Sequence, residues 1–298
     1  MDNTNIGTTK LPAMSIEIDT RDPLAVGVEV QAAYLSLFPE GDRFFVARAF
    51  GWAIDWFTGK FHDYQAMDAC YHDFEHTLQG TLCMARLLRG RHLARAEPAV
   101  TQKAFELGLL AILLHDIGYL KMWSDTTGTG AKYTRVHVAR STHFAEEMLR
   151  EKRCPKADIA AVQHLIRCTG VNAEVAKIPF EDPLQKTVGL ALGTADLLGQ
   201  MAAHDYVERL PALYEEFTEA ASYEGSPPNA GNVFSSAEEL IRKTPLFWKH
   251  YVWPKINQNY EGMYRFLNNP YPDGPNYYLK RIEANLEKCA SGKSVHLQ

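Results

Sequence analysis

Three short stretches of the 298-residue sequence carry side chains that could do chemistry together. The first is Tyr71-His72-Asp73-Phe74-Glu75-His76, where two imidazoles stand four residues apart. On a helix that spacing puts both on one face about a turn apart. They could then share one metal, or one could ligate while the other handles protons. The second is Leu113-Leu114-His115-Asp116-Ile117-Gly118, a histidine and a carboxylate side by side at the end of an apolar run. Burying two ionisable groups among leucines is costly unless something compensates. A divalent cation does so, because both groups are good ligands for a hard or borderline metal; an Asp cap or a hydrogen bond to a neighbour is the purely structural alternative. The third is Thr194-Ala195-Asp196-Leu197-Leu198-Gly199, where Asp196 interrupts an apolar helical pattern. A mid-helix aspartate is poor for helix propensity and for burial. It needs a buried partner, either a cation or an interhelical ion pair.

These stretches must be positioned by helices, since alternating strand patterns are almost absent. Residues 1–25 are polar and aperiodic and read as a loose arm without the basic start and apolar block of a signal peptide. Residues 26–290 read as one all-α domain, with a metal-site core over about 68–205 and a helical extension over about 206–290. Apolar residues recur at helical spacing through Val30, Ala33, Tyr34, Leu37, Phe45, Ala49, Trp52 and Trp56. One helix is expected from Asp68 to Arg91, and another from Thr101 into the His115-Asp116 pair. Residues 124–131 (SDTTGTGA) form a loop. Helices follow over Val136–Lys152, Lys156–Arg167, Leu184–Ala203 and Tyr206–Ser222. After a break at 224–232, the pattern over 237–267 is helical with interruptions near Pro245 and Pro254, and a last helix ends near Lys288.

Composition narrows the function. Hydrophobic residues at 46% and charged residues at 22% are ordinary for a globular chain. A net charge of -5 excludes the broad basic surface that a nucleic-acid polymer requires. Five widely spaced cysteines with no C-x-x-C pair argue against a disulfide framework and a thiolate zinc site. No apolar run is long enough for a bilayer, so no membrane partner is expected and a reducing cytoplasm is the expected compartment.

The order H…HD…D, each element on its own helix, resembles the HD-domain superfamily of metal-dependent phosphohydrolases over roughly residues 71–203. That resemblance implies an HD-type helical bundle with His76 as first ligand, His115 and Asp116 as the dyad and Asp196 as distal ligand. The cofactor it implies is one divalent ion or two, with Mg, Mn, Fe, Zn, Co and Ni undistinguished. Tyr71-His72-x-x-x-His76 is further similar to the Y-H-N-x-x-H motif of class I cyclic-nucleotide phosphodiesterases, whose first histidine gives a proton to the leaving oxygen. The stretches 194–197, 213–217 and 247–254 are also similar to that family, which implies substrate contacts at Tyr71 and Phe247. Asp73 departs from the motif's Asn, no glutamine stands near Thr244 to read a purine, and Tyr119 falls where the family's H-D-x-x-H places a histidine. The resemblance therefore carries over the metal site and His72 as proton donor, with Asp116 bridging a second cation or orienting water. It does not carry over the cyclic-nucleotide substrate.

Histidines between the dyad and Asp196 complete a second metal site in some HD hydrolases. All three of His137, His143 and His164 are candidates for it; His137 fits the family's H-x-x-x-S helix start best, while His143 and His164 read more readily as ordinary helix-surface residues. Lys121, Arg135 and Arg140 are candidates for phosphate contacts. Glu75 or another carboxylate is expected to orient His72. The expected protein is a metal-dependent phosphohydrolase acting on a small phosphorylated substrate, a phosphodiester or a nucleotide, with a homodimer left open. The competing readings are an HD-type di-iron oxygenase and a nucleotide-binding HD module without catalysis. Within hydrolases, a nucleotidase or guanosine-alarmone hydrolase competes with a phosphodiesterase.

Overall fold

Five helices begin where a short polar side chain turns back onto the backbone. In the computed structural model, which describes residues 17–223 and 234–291, Asp22, Asp73, Thr101, Asp182 and Ser236 each accept a hydrogen bond from an N–H in the helix they open. Such a cap satisfies a backbone donor that the helix itself leaves unpaired. Among the described residues the fold has ten α-helices and no strand, only two isolated β-bridges. It is all-α, as the sequence predicts. The helices are α1 Pro23–Leu37, α2 Phe45–Phe57, α3 Phe74–Leu93, α4 Gln102–Leu114, α5 His137–Glu151, α6 Lys156–Ile166, α7 Pro183–Met201, α8 Tyr206–Ser222, α9 Ala237–Phe247 and α10 Tyr277–Ser291. Of the expected arm, residues 1–16 lie outside the described residues, as does the break at 224–232.

The helix expected over 68–91 starts later. Asp73, with extended backbone, accepts from the His76 N–H at 2.9 Å, so α3 begins at Phe74. His72 therefore stands before the helix and not on its face. The two imidazoles still meet, with ring centres 5.2 Å apart and planes at 71°. Pro245 lies inside α9 rather than breaking it; the interruption comes at two π-helical turns, Trp248–Val252 and Lys255–Asn259, on either side of Pro254.

α4 is the central rod. It packs on α2, α3, α6 and α7, and Ile112, Leu113 and Leu114 are wholly buried. Each such side chain contributes about 1.5–3 kcal/mol, so the helix can carry His115 into the core at its end. Two glycines let other helices come close enough to complete the site. A Cβ on Gly199 of α7 would sit 2.7 Å from the Gln79 carbonyl oxygen of α3. A Cβ on Gly118 would sit 2.1 Å from the His137 carbonyl oxygen, where α5 begins. The Gly118 N–H also donates to Ser141 Oγ at 2.9 Å. No helix among the described residues is long and apolar enough to cross a membrane. All five cysteines are free thiols.

Candidate metal centre

Three helices bring four predicted residues to one point. His76 comes from the first turn of α3, His115 and Asp116 from the end of α4, and Asp196 from the middle of α7. His76 Nε2 lies 3.1 Å from Asp116 Oδ2 and 3.3 Å from Asp196 Oδ1. His115 Nε2 lies 3.2 Å and 3.5 Å from the same two oxygens. His115 Nδ1 donates to the Ile112 carbonyl at 2.7 Å, which leaves the Nε2 lone pair facing inward. Although they are this close, His115 Nε2 and Asp116 Oδ2 are both buried without a properly aligned hydrogen bond. Buried polar atoms are normally paired. Lone pairs that converge and remain unpaired are what a cation would satisfy, and the N/O donor set suits a hard or borderline divalent ion. The ligand atoms of His76, His115 and Asp196 lie within 4.8 Å of one another, as do those of His72, His76 and Asp116, so either group could hold a metal ion.

The electrostatics agree. Burial opposes charge on His76, but the neighbouring carboxylates of Asp116 and Asp196 outweigh it and raise its pKa to about 9. Burial likewise opposes charge on His115, and Asp116 and Asp196 overcome it, so its pKa stands well above the ordinary value. Burial would lift both carboxyls; His115 and His76 hold Asp116 well below and Asp196 below the usual range. Without a cation, protons on the imidazoles hold the cluster together.

A second layer surrounds this cluster. His137 Nδ1 donates to the Thr134 carbonyl at 2.6 Å, and its Nε2 faces Asp116 Oδ1 at 3.6 Å. Burial holds the His137 pKa below its ordinary value despite Asp116, which favours a neutral imidazole able to ligate. Gln200 donates to Asp196 Oδ1 at 3.3 Å and accepts from the Tyr71 hydroxyl at 2.9 Å. The Tyr71 ring is buried and its hydroxyl is engaged by Gln200, which places it behind the cluster as a support.

His72 stands at the rim. Its Nδ1 lies 2.5 Å from Glu216 Oε2, while Glu216 Oε1 accepts from the Tyr71 and His72 N–H groups at 2.7 and 3.2 Å. The orienting carboxylate is therefore Glu216, not Glu75, which accepts from Thr20 and Gln79 and pairs with Arg209. Burial would raise the Glu216 carboxyl, but the neighbouring His72 and the two N–H donors hold it below its usual value. Tyr119 was also missed by sequence reasoning. Its buried ring lies nearly parallel to His72 at 4.7 Å and to His137 at 4.8 Å. Its only signal in the sequence was a tyrosine where the phosphodiesterase motif that the chain resembles has a histidine.

The remaining candidates lie elsewhere. The His143 side chain is 68% exposed and faces Glu147, and the nearest hydrogen-bonding atom to His164 Nδ1 is Gln185 Oε1 at 3.4 Å. Neither belongs to the groups of residues close enough to share a metal ion. The Lys121 ammonium is held by Asp68 at 2.8 Å and the Gly128 carbonyl at 2.6 Å. Arg140 spends its guanidinium on the Gly118 and Leu120 carbonyls, both at 2.6 Å, and lies 3.5 Å from the Tyr133 ring centre. Arg135 is exposed. Phe247 is 41% exposed and stacks on Tyr251 at 4.9 Å.

Fold and site together define an all-α protein with a buried His/Asp cluster that could hold a metal ion. The chain belongs to the Npun_R2479-like family, whose model matches residues 50–127 and 122–267, a span that includes all four clustered residues, His72 and Glu216. No curated protein matches the chain.

Proposed function

We propose that this protein is an HD-type, metal-dependent phosphohydrolase that cleaves a small phosphate ester, a phosphodiester or a nucleotide. The observation that carries the reading is the set of inward-facing His and Asp atoms on His76, His115, Asp116 and Asp196, with a carboxylate-backed histidine at its edge. A divalent cation held by those residues would supply charge for a phosphoryl oxygen and would lower the pKa of a bound water towards neutrality. Asp116 Oδ1, the oxygen turned toward His137, orients the incoming water. Glu216 Oε2 faces His72 Nδ1 and orients the ring, leaving Nε2 to give its proton to the departing oxygen as the P–O bond breaks. Tyr119 holds the His72 ring plane for that transfer.

The test starts from apo protein and adds Mg, Mn, Fe, Co, Ni or Zn in turn, with bis-p-nitrophenyl phosphate as substrate. At least one ion should restore hydrolysis, and the double variant His115→Ala/Asp116→Ala should lose both metal and activity. Metal content undiminished in that variant would sink the site assignment. Inertness with every ion would sink the hydrolase reading.

His137 favours a second reading. A third imidazole at Asp116 is suited to a second cation, and a di-iron centre that activates dioxygen needs histidines there. Two irons per chain with dioxygen uptake would select that reading over hydrolysis.

A further inference from the structure

The segment 70–73 has no regular structure of its own, yet it presents His72. We infer that Arg209 is a positioning residue for His72, acting through the backbone that carries it; the inference rests on the hydrolase reading above. α8 reaches this segment from two positions seven residues apart. Glu216 takes the segment's donors, the N–H groups of Tyr71 and His72 and the imidazole Nδ1. Arg209 takes its acceptors. One guanidinium nitrogen lies 3.2 Å from the Cys70 carbonyl, 2.8 Å from the Tyr71 carbonyl and 2.8 Å from Asp73 Oδ2. The other lies 3.5 Å from Glu75 Oε2, and the guanidinium carbon is 5.4 Å from the Tyr71 ring centre.

The chemistry of this grip requires arginine. Five N–H donors in a planar fork can serve two carbonyls and two carboxylates at once, while a lysine ammonium is a point charge on a flexible stem. The side chain is only 15% exposed. Burial opposes its charge, but Asp73 and Glu75 outweigh it and hold the pKa above the ordinary value. None of its partners is one of the four clustered ligand residues. The turn is thus held on its donor side by Glu216 and on its acceptor side by Arg209, and the direction of the His72 ring follows from both.

A general acid matters only when the leaving group needs a proton, and that gives the test. Bis-p-nitrophenyl phosphate releases a stable phenolate. A dithymidine phosphodiester releases an alkoxide, which must take the proton from His72 Nε2 as its P–O bond breaks. Arg209→Met should lower kcat on the dithymidine ester about 10²-fold, the effect of a 1 Å misplacement. It should leave kcat on the nitrophenyl ester, KM on both and bound metal nearly unchanged. Arg209→Lys should recover part of the loss, and it carries the same contrast should Arg209→Met fail to fold. Equal losses on the two esters, or loss of metal, would overturn the positioning role while leaving the hydrolase reading standing. A wild type that cleaves only the nitrophenyl ester has no working proton donor and would overturn the inference alone. A wild type inert on both would overturn the hydrolase reading and this inference with it.

Discussion

His76, His115, Asp116 and Asp196 stand on three helices that cross in the core, whereas His72 stands on an irregular turn gripped from α8. The inner residues are fixed by packing: α4 is buried through Leu114, and α7 meets α3 at Gly199. The rim is fixed by hydrogen bonds to a helix some 140 residues further along the chain. Packing at full density tolerates little displacement, which suits atoms that must converge on one ion. A hydrogen-bonded turn can be adjusted without disturbing the core. On the proposed reading, the metal site and the proton donor should therefore be separable by substitution.

The largest effect should come from the rim. His72→Asn should lower kcat for an alkyl phosphate ester by about 10²–10⁴-fold, the usual contribution of general acid–base catalysis, with metal content kept. Glu216→Gln should give a smaller loss of the same kind, because the amide oxygen still accepts the two N–H groups but the amide holds His72 Nδ1 less firmly than a carboxylate does. Metal analysis beside steady-state kinetics checks both. Loss of metal in His72→Asn would place His72 among the ligands, in line with its proximity to His76 and Asp116, and would break the division between cluster and rim.

The inner cluster should respond to pH instead. His76 has its pKa raised to about 9 and His115 stands well above normal, so without a cation both imidazoles carry protons at pH 7. A cation has to displace those protons, so affinity should rise with pH between 7 and 9. Each displaced proton is worth about tenfold per pH unit. Calorimetry of metal binding in buffers of different ionisation enthalpy reads the proton release directly. Affinity that stays flat over this range would mean the imidazoles are already neutral.

The same division explains what the sequence revealed. His115 and Asp116 were legible because the cost of ending an apolar run in two ionisable groups is a local fact. Asp196 was legible for the same reason, as a carboxylate inside an apolar helix. Glu216 lies in the stretch 213–217 that the resemblance marks, but its role was not legible, since its partner lies 144 positions away and only the fold joins them. The start of α3 had a signal that went unread: Asp73 followed by an acidic first turn is a helix N-terminus. Pairing His72 with His76 by helical spacing passed over that cap, although the turn before the helix brings the rings together anyway. Lys121, Arg140 and Tyr71 looked free for a substrate because their backbone and side-chain partners are set by tertiary contacts.

Gly199 probes how tightly the core sets the cluster. In Gly199→Ala the new methyl would press on the Gln79 carbonyl, one of the backbone atoms of α3 next to the turn that bears His76. Overpacking of this kind costs about 1–3 kcal/mol. The melting temperature should fall, and metal should be held more weakly because α3 and α7 carry His76 and Asp196 on either side of the contact. A drop in stability with unchanged metal affinity would mean that the ligands adjust independently of helix packing.

The smallest effect marks the outer limit of the site. His143→Ala removes an exposed imidazole whose nearest ionic neighbour is Glu147 at 3.8 Å on the same helix. An exposed pair of that kind is worth little, and surface substitutions usually stay within about 0.5 kcal/mol. Activity, metal content and melting temperature should all stay near wild type. His137→Ala, one turn and a half earlier on α5, removes the imidazole that faces Asp116 and should weaken any second cation. Comparing the two variants tests whether α5 serves the centre through its first residue alone. Matching metal losses from both would show that α5 reaches the centre in an arrangement different from this one.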